Sequence, residues 1–217
     1  MPFQLFDPDG ELRITVGKLP HWYQPGATYF ITFRTADSLP KEVADLWHRR
    51  RSDWLLRQGI DPKAKDWQPA LRRLPDRLQR EFHETFSREF LEHLDKGHGA
   101  CVLRRKELAQ IVANSLRHFD GQRYFLGDFV VMPNHVHLLV GLLGETDVES
   151  QCYSWKKFTA TQINLALNQT GEFWQPESFD HLVRSAEQFE RFQRYIANNG
   201  PDASLRNDEY LYWQRPK

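Results

Sequence analysis

The apolar patterning of this 217-residue chain predicts an α+β fold, a split βαβ antiparallel sheet with helices on one face. Three observations carry that expectation. Tyr29-Phe30-Ile31-Thr32-Phe33 and His135-Val136-His137-Leu138-Leu139-Val140 are short runs rich in β-branched, aromatic and apolar residues, as strands require. Pro133-Asn134 is a turn-forming pair, so 123–132 and 135–140 read as the two arms of a hairpin. Segments with apolar residues three and four apart separate these runs, giving the order strand, helix, strand, strand, helix, strand, helix. That is the order of a ferredoxin-like sandwich. It equally suits an RNA-recognition module, so topology by itself does not specify function.

Taken in order, residues 1–27 form an extended, proline-containing arm that leads into the first strand over 28–34. Residues 36–99 are charged and mostly helical. Val43, Leu46, Trp47, Trp54 and Leu55 mark one amphipathic helix, and a looser piece carries Pro62, Pro69 and Pro75. Leu78, Phe82, Phe86, Phe90 and Leu94 then mark a second helix at four-residue spacing, closed by the turn Gly97-His98-Gly99. The segment reads as a helical insertion between the first strand and the first core helix of a single domain spanning 1–217. Residues 103–119 are the next helix, with Leu108, Ile111, Val112 and Leu116 as its buried stripe and Gly121 beyond its end.

A helix over 150–168 follows, carrying Trp155, Phe158, Ile163, Leu165 and Leu167. Short extended pieces at 171–174 and 179–182 precede the last helix. Ser185 with Gln188 three residues on is a capping box that starts it, and Gly200-Pro201 is expected to stop it. Phe189, Phe192 and Ile196 supply its apolar face. The tail from Asn207, with Tyr210, Tyr212, Trp213 and Arg215, has the residues either to contact a nucleic acid or to fold back over the site. No repeat or low-complexity tract interrupts the chain.

The chain is long enough to bury a substantial core. Cys101 and Cys152, far apart in sequence, form neither a disulfide framework nor a CxxC site, which suits a reducing cytoplasm. No basic-then-apolar leader opens the sequence, and the longest apolar run, near 138–143, is too short to span a bilayer, so no membrane partner is expected. Lys plus Arg and Asp plus Glu both number 29. That balance counts mildly against a chain held to nucleic acid by bulk electrostatics; for a DNA substrate, local basic patches and shape must carry the binding.

Two constellations carry chemistry. In a strand His135 and His137 share one face, with Cβ atoms roughly 6–7 Å apart, so both rings can reach one metal ion. On the last helix Tyr195 and Asn199 are four apart and therefore neighbours on its surface, a hydroxyl and an amide oxygen on one stripe. They can serve as a nucleophile and a third ligand. Each constellation also has an ordinary structural explanation: strand histidines with satisfied hydrogen bonds, and an amphipathic helix with a packed tyrosine and a capping asparagine.

Together they resemble a known family. Met132-Pro133-Asn134-His135-Val136-His137-Leu138-Leu139-Val140 resembles the HUH motif of single-tyrosine transposases. Phe173-Trp174-Gln175-Pro176-Glu177-Ser178-Phe179-Asp180-His181-Leu182-Val183-Arg184, followed by Tyr195-Ile196 and Asn199, resembles the subgroup of REP-associated tyrosine transposases. Tyr29-Phe30-Ile31-Thr32-Phe33-Arg34 is similar to that family's first strand. The order and spacing of the motifs are preserved.

The resemblance implies a metal-dependent strand transferase acting on single-stranded DNA with hairpin structure. His135, His137 and Asn199 would hold the cation, and Tyr195 would form a 5′-phosphotyrosine. Imidazole with oxygen ligands and no nearby thiolate suits Mg²⁺ or Mn²⁺ rather than structural zinc. Lys156, Lys157, Arg184, Arg191, Arg194 and His181 are the candidate DNA contacts. Asn199 is preferred to its neighbour Asn198 because it aligns with Tyr195. The family carries Pro directly after this Asn, whereas here Gly200 intervenes before Pro201. The alternative is a catalytically silent hairpin-binding protein on the same fold. A histidine-triad hydrolase is disfavoured because Leu139 stands where a third alternating histidine belongs. No protein partner is indicated; monomer and homodimer both suit the sequence, and the expected location is the bacterial cytoplasm, on the nucleoid when DNA is bound.

Overall fold

The computed structural model describes residues 3–11, 13–16, 20–64, 67–176 and 178–216. In chain order the elements are β1 (Arg13–Val16), β2 (Pro20–Tyr23), β3 (Thr28–Arg34), α1 (Lys41–Arg57), α2 (Trp67–Arg72), α3 (Asp76–Phe82), a π turn (His83–Ser87) and α4 (Arg88–Asp95). A 3-10 turn (Val102–Arg104), α5 (Lys106–His118), β4 (Tyr124–Val131), β5 (His135–Leu142), α6 (Val148–Leu167), β6 (Phe179–Leu182), α7 (Ala186–Asp202) and β7 (Leu211–Trp213) follow. The chain forms two compact units, Met1–Ala36 with Ala100–Lys217, and Asp37–Gly99.

The first unit is built on a five-stranded sheet of order β6-β3-β5-β4-β7, with every neighbouring pair antiparallel. This is the α+β sheet the sequence predicts, extended by β7 from the tail; a separate β1–β2 hairpin lies within the arm expected to be merely extended. Strand alternation divides the apolar residues between two faces. Tyr29, Ile31 and Phe33 of β3 and Val136, Leu138 and Val140 of β5 face α5 and α6, meeting Leu108, Val112, Leu116, Cys152, Trp155 and Ile163. Phe30, Val130 and Leu139 face the other way and are covered by α7 through Ile196, Phe189 and Phe192. α5 and α6 thus occupy one face, and the tyrosine-bearing helix occupies the opposite one.

Two details of α5 and α6 depart from the expected stripes. Ile111 is only half-buried. Phe158 and Leu165 are exposed, because the buried stripe of α6 runs through Val148, Cys152, Trp155, Thr159 and Ile163 and leaves those two on its outer side. α7 also runs past its expected stop, through Gly200 and Pro201 to Asp202. Its end is a Schellman motif instead: Ser204 takes φ of 56°, Leu205 N donates to Gly200 O at 3.0 Å, and Ser204 N donates to Pro201 O at 2.9 Å.

β4 is interrupted by a bulge. Leu126 pairs with Val140 and Phe129 with Leu138, so Gly127 and Asp128 together oppose Leu139. The bulge lets Leu126 and Phe129, three apart, both point into the α5–α6 core. Glycine is required at 127: a Cβ there would lie 2.8 Å from Leu139 Cβ.

The second unit has its own apolar cluster of Leu55, Ile60, Trp67, Leu71, Phe82 and Phe86, with Trp47 and Trp54 packed against it. The indole of Trp54 donates to Glu81 Oε1 at 3.0 Å, and that of Trp47 donates to Phe86 O at 3.1 Å. Leu46, expected on the inner face, is exposed. The second expected helix is α3, the π turn and α4 in continuity. A strict four-residue apolar spacing drifts by about 40° per step on an α-helix, and the wider π turn keeps Phe82 and Phe86 in the same core. The Phe90 side chain lies outside the described residues. Among the described residues no helix is long and apolar enough to cross a membrane.

Candidate active site

β5 is the central strand of the sheet, and both of its histidine side chains are fully buried on the face that α7 covers. The His135 and His137 ring centroids are 4.5 Å apart, inclined at 71°. Each ring is oriented through its Nδ1. His137 Nδ1 lies 2.7 Å from Thr32 Oγ1, its cross-strand partner on β3. His135 Nδ1 donates to Asn134 Oδ1 of the preceding turn at 2.7 Å. With Nδ1 occupied in this way, Nε2 is the nitrogen each ring offers to a ligand, the arrangement by which an outer hydrogen bond fixes a metal-binding imidazole.

Burial holds both imidazoles neutral. Removal from water brings the His135 pKa down to about 3, offset in part by the neighbouring Asn199 side chain. His137 is held well below its ordinary value by burial, and further by the proximity of His135. Neutral imidazole is the form a cation requires.

α7 brings the remaining groups. Ser185 Oγ accepts from Gln188 N at 3.1 Å, and Gln188 Oε1 accepts from Arg184 N at 2.7 Å, so the expected capping pair starts the helix. Gln188 Nε2 also lies 2.8 Å from His181 Nε2 on β6, tying the helix start to the sheet. Phe192 stacks on Phe30 at 4.3 Å and 3°. That contact sets Tyr195 edge-on to Phe30 at 5.9 Å and against the His137 ring at 5.1 Å. The Tyr195 hydroxyl lies 3.4 Å from His137 Nε2.

One turn later Asn199 is 2 % exposed, and its Oδ1 accepts no hydrogen bond. A buried amide oxygen without a donor costs about 1–3 kcal/mol. A cation shared with His135 and His137 is a partner that fits it. Among the described residues no three His, Cys, Asp or Glu side chains form a metal-binding group, so any centre here depends on this amide. Two neutral imidazole nitrogens and one amide oxygen form a donor set that accepts Mn²⁺ or Mg²⁺ with positions left for substrate oxygens.

The structure divides the expected DNA contacts between the two faces. Arg184, Arg191 and Arg194 are exposed on or beside α7, with Arg194 3.7 Å from Glu190, and His181 lies beneath Phe192 at 5.6 Å. These share the face of Tyr195. Lys156 and Lys157 belong to α6, over the opposite face. Lys156 Nζ donates to Pro176 O at 2.5 Å, and Lys157 is exposed beside the Tyr153 ring at 5.6 Å. An open groove of about 620 Å³ lined by Arg117, His118, Asp120, Trp213 and Arg215 lies at the α5–β7 edge, away from the histidines.

Sequence reasoning missed Thr32, Asn134 and Asp128. Asp128 is 2 % exposed in the bulge, accepting from Gln193 Nε2 at 3.3 Å and from Arg215 N at 3.0 Å. The signal for it was present: Gly-Asp inside an otherwise apolar strand marks a bulge.

No curated protein matches the chain. Among solved structures, a REP-associated tyrosine transposase bound to a REP hairpin is 15% identical, over 83% of this chain and 70% of that one, with a TM-score of 0.43. A candidate transposase from Deinococcus radiodurans R1 is 17% identical, over 82% of this chain and 93% of that one, with a TM-score of 0.28. Likeness at that level carries no functional weight. In sequence, residues 102–199 match the family described as Transposase IS200 like. That segment holds β5, α6 and α7 as far as Asn199, the elements that carry His135, His137 and Tyr195, and over it the chain is similar to that family.

Proposed function

We propose that this protein cleaves and rejoins hairpin-bearing single-stranded DNA through a 5′-phosphotyrosine on Tyr195, in a reaction that depends on Mg²⁺ or Mn²⁺. One observation carries the proposal. His135, His137, the Tyr195 hydroxyl and the unsatisfied Asn199 oxygen converge on the same buried face of the sheet. The bound cation would supply Lewis-acid polarisation of the scissile phosphate.

The chain's own residues supply position. Phe30 and Phe192 wall the site and fix the Tyr195 ring, leaving its hydroxyl beside the metal-binding pair. Tyr195 Oη would attack phosphorus in line, forming a phosphotyrosyl bond as the bond to the 3′ oxygen breaks. The phenolic proton lost by Tyr195 is balanced by the proton the leaving 3′ oxygen takes up. The covalent link conserves the phosphodiester, so a second 3′ hydroxyl can reverse the step without ATP. Arg184, Arg191 and Arg194 would contact phosphates on the α7 side, with His181 orienting the helix start; Lys156 and Lys157 would meet DNA only where it wraps to the α6 face.

Because α7 packs on its own sheet, the tyrosine would serve the histidines of the same chain. Residues 36–99 would be an insertion in a single transposase-like domain, and the working location would be the bacterial cytoplasm. The test is incubation with labelled hairpin oligonucleotides and Mn²⁺ or Mg²⁺, followed by denaturing electrophoresis. A protein–DNA adduct that needs the metal and is lost in Tyr195→Phe is expected. Tight hairpin binding with no adduct would replace this reading with that of a silent binding protein.

A further inference from the structure

The glycine that separates Asn199 from Pro201 has no backbone reason to be there. Gly200 lies inside α7, and its φ is not among the positive ones. In a helix interior alanine is preferred to glycine by about 1 kcal/mol. The explanation lies in the tail. A Cβ at Gly200 would fall within 2.5 Å of Cε1 and Cε2 of Tyr210, whose ring lies directly on the helix backbone. Tyr210 immediately precedes β7, which joins the sheet by pairing Leu211 with Val131, Tyr212 with Val130 and Trp213 with Phe129.

A second tie lies on the other side of the tyrosine. The buried carboxylate of Asp128 accepts from Gln193 Nε2 of α7 with one oxygen and from Arg215 N of the tail with the other. The bulge at Gly127 and Asp128 gives the strand the extra residue on which this carboxylate stands. Tyr195 and Asn199 therefore lie between two points at which α7 is tied to the C-terminal segment: Gln193 through Asp128, and Gly200 through Tyr210.

We propose that the C-terminal segment 203–215 is a strap that positions the tyrosine helix, with Tyr210 seated on Gly200 and Asp128 pinning helix and strap together. Gly200, Tyr210 and Asp128 are positioning residues; none touches the reacting atoms. The effect on catalysis rests on the reading of Tyr195 as nucleophile, whereas the effect on the helix does not.

The test compares Gly200→Ala, Tyr210→Leu and the double variant Gly200→Ala/Tyr210→Leu in the full chain. Amide hydrogen exchange of α7, hairpin affinity and the rate of adduct formation are measured for each. Gly200→Ala is expected to speed exchange over 193–202 and slow adduct formation tenfold or more, with hairpin affinity changed less than twofold. Tyr210→Leu, which removes the seat without a clash, is expected to act in the same direction. The double variant should recover relative to Gly200→Ala, because the smaller side chain clears the new methyl. Slower exchange and an unchanged adduct rate in Gly200→Ala, the outcome of helix propensity alone, would overturn the proposal. So would an unaltered α7 in Tyr210→Leu, which covers the case in which Gly200→Ala fails to fold. Altered exchange together with no adduct in the wild-type protein would refute the catalytic reading and leave the strap standing.

Discussion

Lowering the pH of the metal-free protein from 7 to 5.5 should remove on the order of 2 kcal/mol of folding stability through His135 and His137. Burial holds His135 at about 3 and His137 well below its ordinary value, while in the unfolded chain both titrate near ~6.5. Between those limits the unfolded chain binds more protons than the folded one. Stability is therefore complete above the unfolded value, falls as pH falls through it, and levels off only below the folded value. Each buried ring contributes a loss on the order of 1 kcal/mol over this interval, because the unfolded imidazole takes up a proton that the folded one does not. Both rings are fully buried, which leaves no solvent screening to discount. Urea melts in the presence of a chelator, at half-unit steps, measure the slope. His135→Gln/His137→Gln should be less stable at pH 7 yet lack this slope. Equal slopes in the two proteins would show that the folded histidines titrate as exposed ones do, and the argument from burial would fail. Added Mn²⁺ should restore stability to the wild-type protein at pH 5.5, by about 2.7 kcal/mol at a hundredfold excess over Kd.

Gly127→Ala forces a methyl against Leu139 and should cost about 1–3 kcal/mol by overpacking, read as a lower denaturant midpoint at constant m. Tyr124→Phe removes the acceptor of the Trp155 indole and the donor to Leu116 O, both buried, and should cost about 2 kcal/mol; a change within a few tenths would contradict the hydrogen-bond assignment. Ser185→Ala should cost about 1 kcal/mol and raise exchange in the first turn of α7. Arg191→Ala should weaken hairpin binding alike across sequences and lower the slope of log K against log salt by about 1.

How much of this was legible in the sequence follows from how local each determinant is. The two histidines were readable because strand alternation places residues two apart on one face, and Pro133-Asn134 fixed where the strand begins. The start of α7 was readable because a serine cap and its glutamine are three residues apart. Its end was not: Gly200-Pro201 carries the local chemistry of a stop, yet the glycine answers to Tyr210, ten residues away and folded back onto it. β7 was hidden for the same reason, since three residues of a charged tail become a strand only by pairing with β4. Thr32 orients His137 only because β3 and β5 are in register, and no spacing along the chain discloses that. Residues 36–99 showed their helices, but the π turn arose from a four-residue spacing that an α-helix cannot hold in phase.

The polarity of the tyrosine–DNA link tests the role of Tyr195 as nucleophile. A hairpin oligonucleotide labelled at its 3′ end in one preparation and at its 5′ end in another is incubated with the protein and Mn²⁺, then denatured. The expected adduct carries only the 3′-end label and is absent from Tyr195→Phe. An adduct that persists in Tyr195→Phe, or one that carries the 5′-end label, would contradict it.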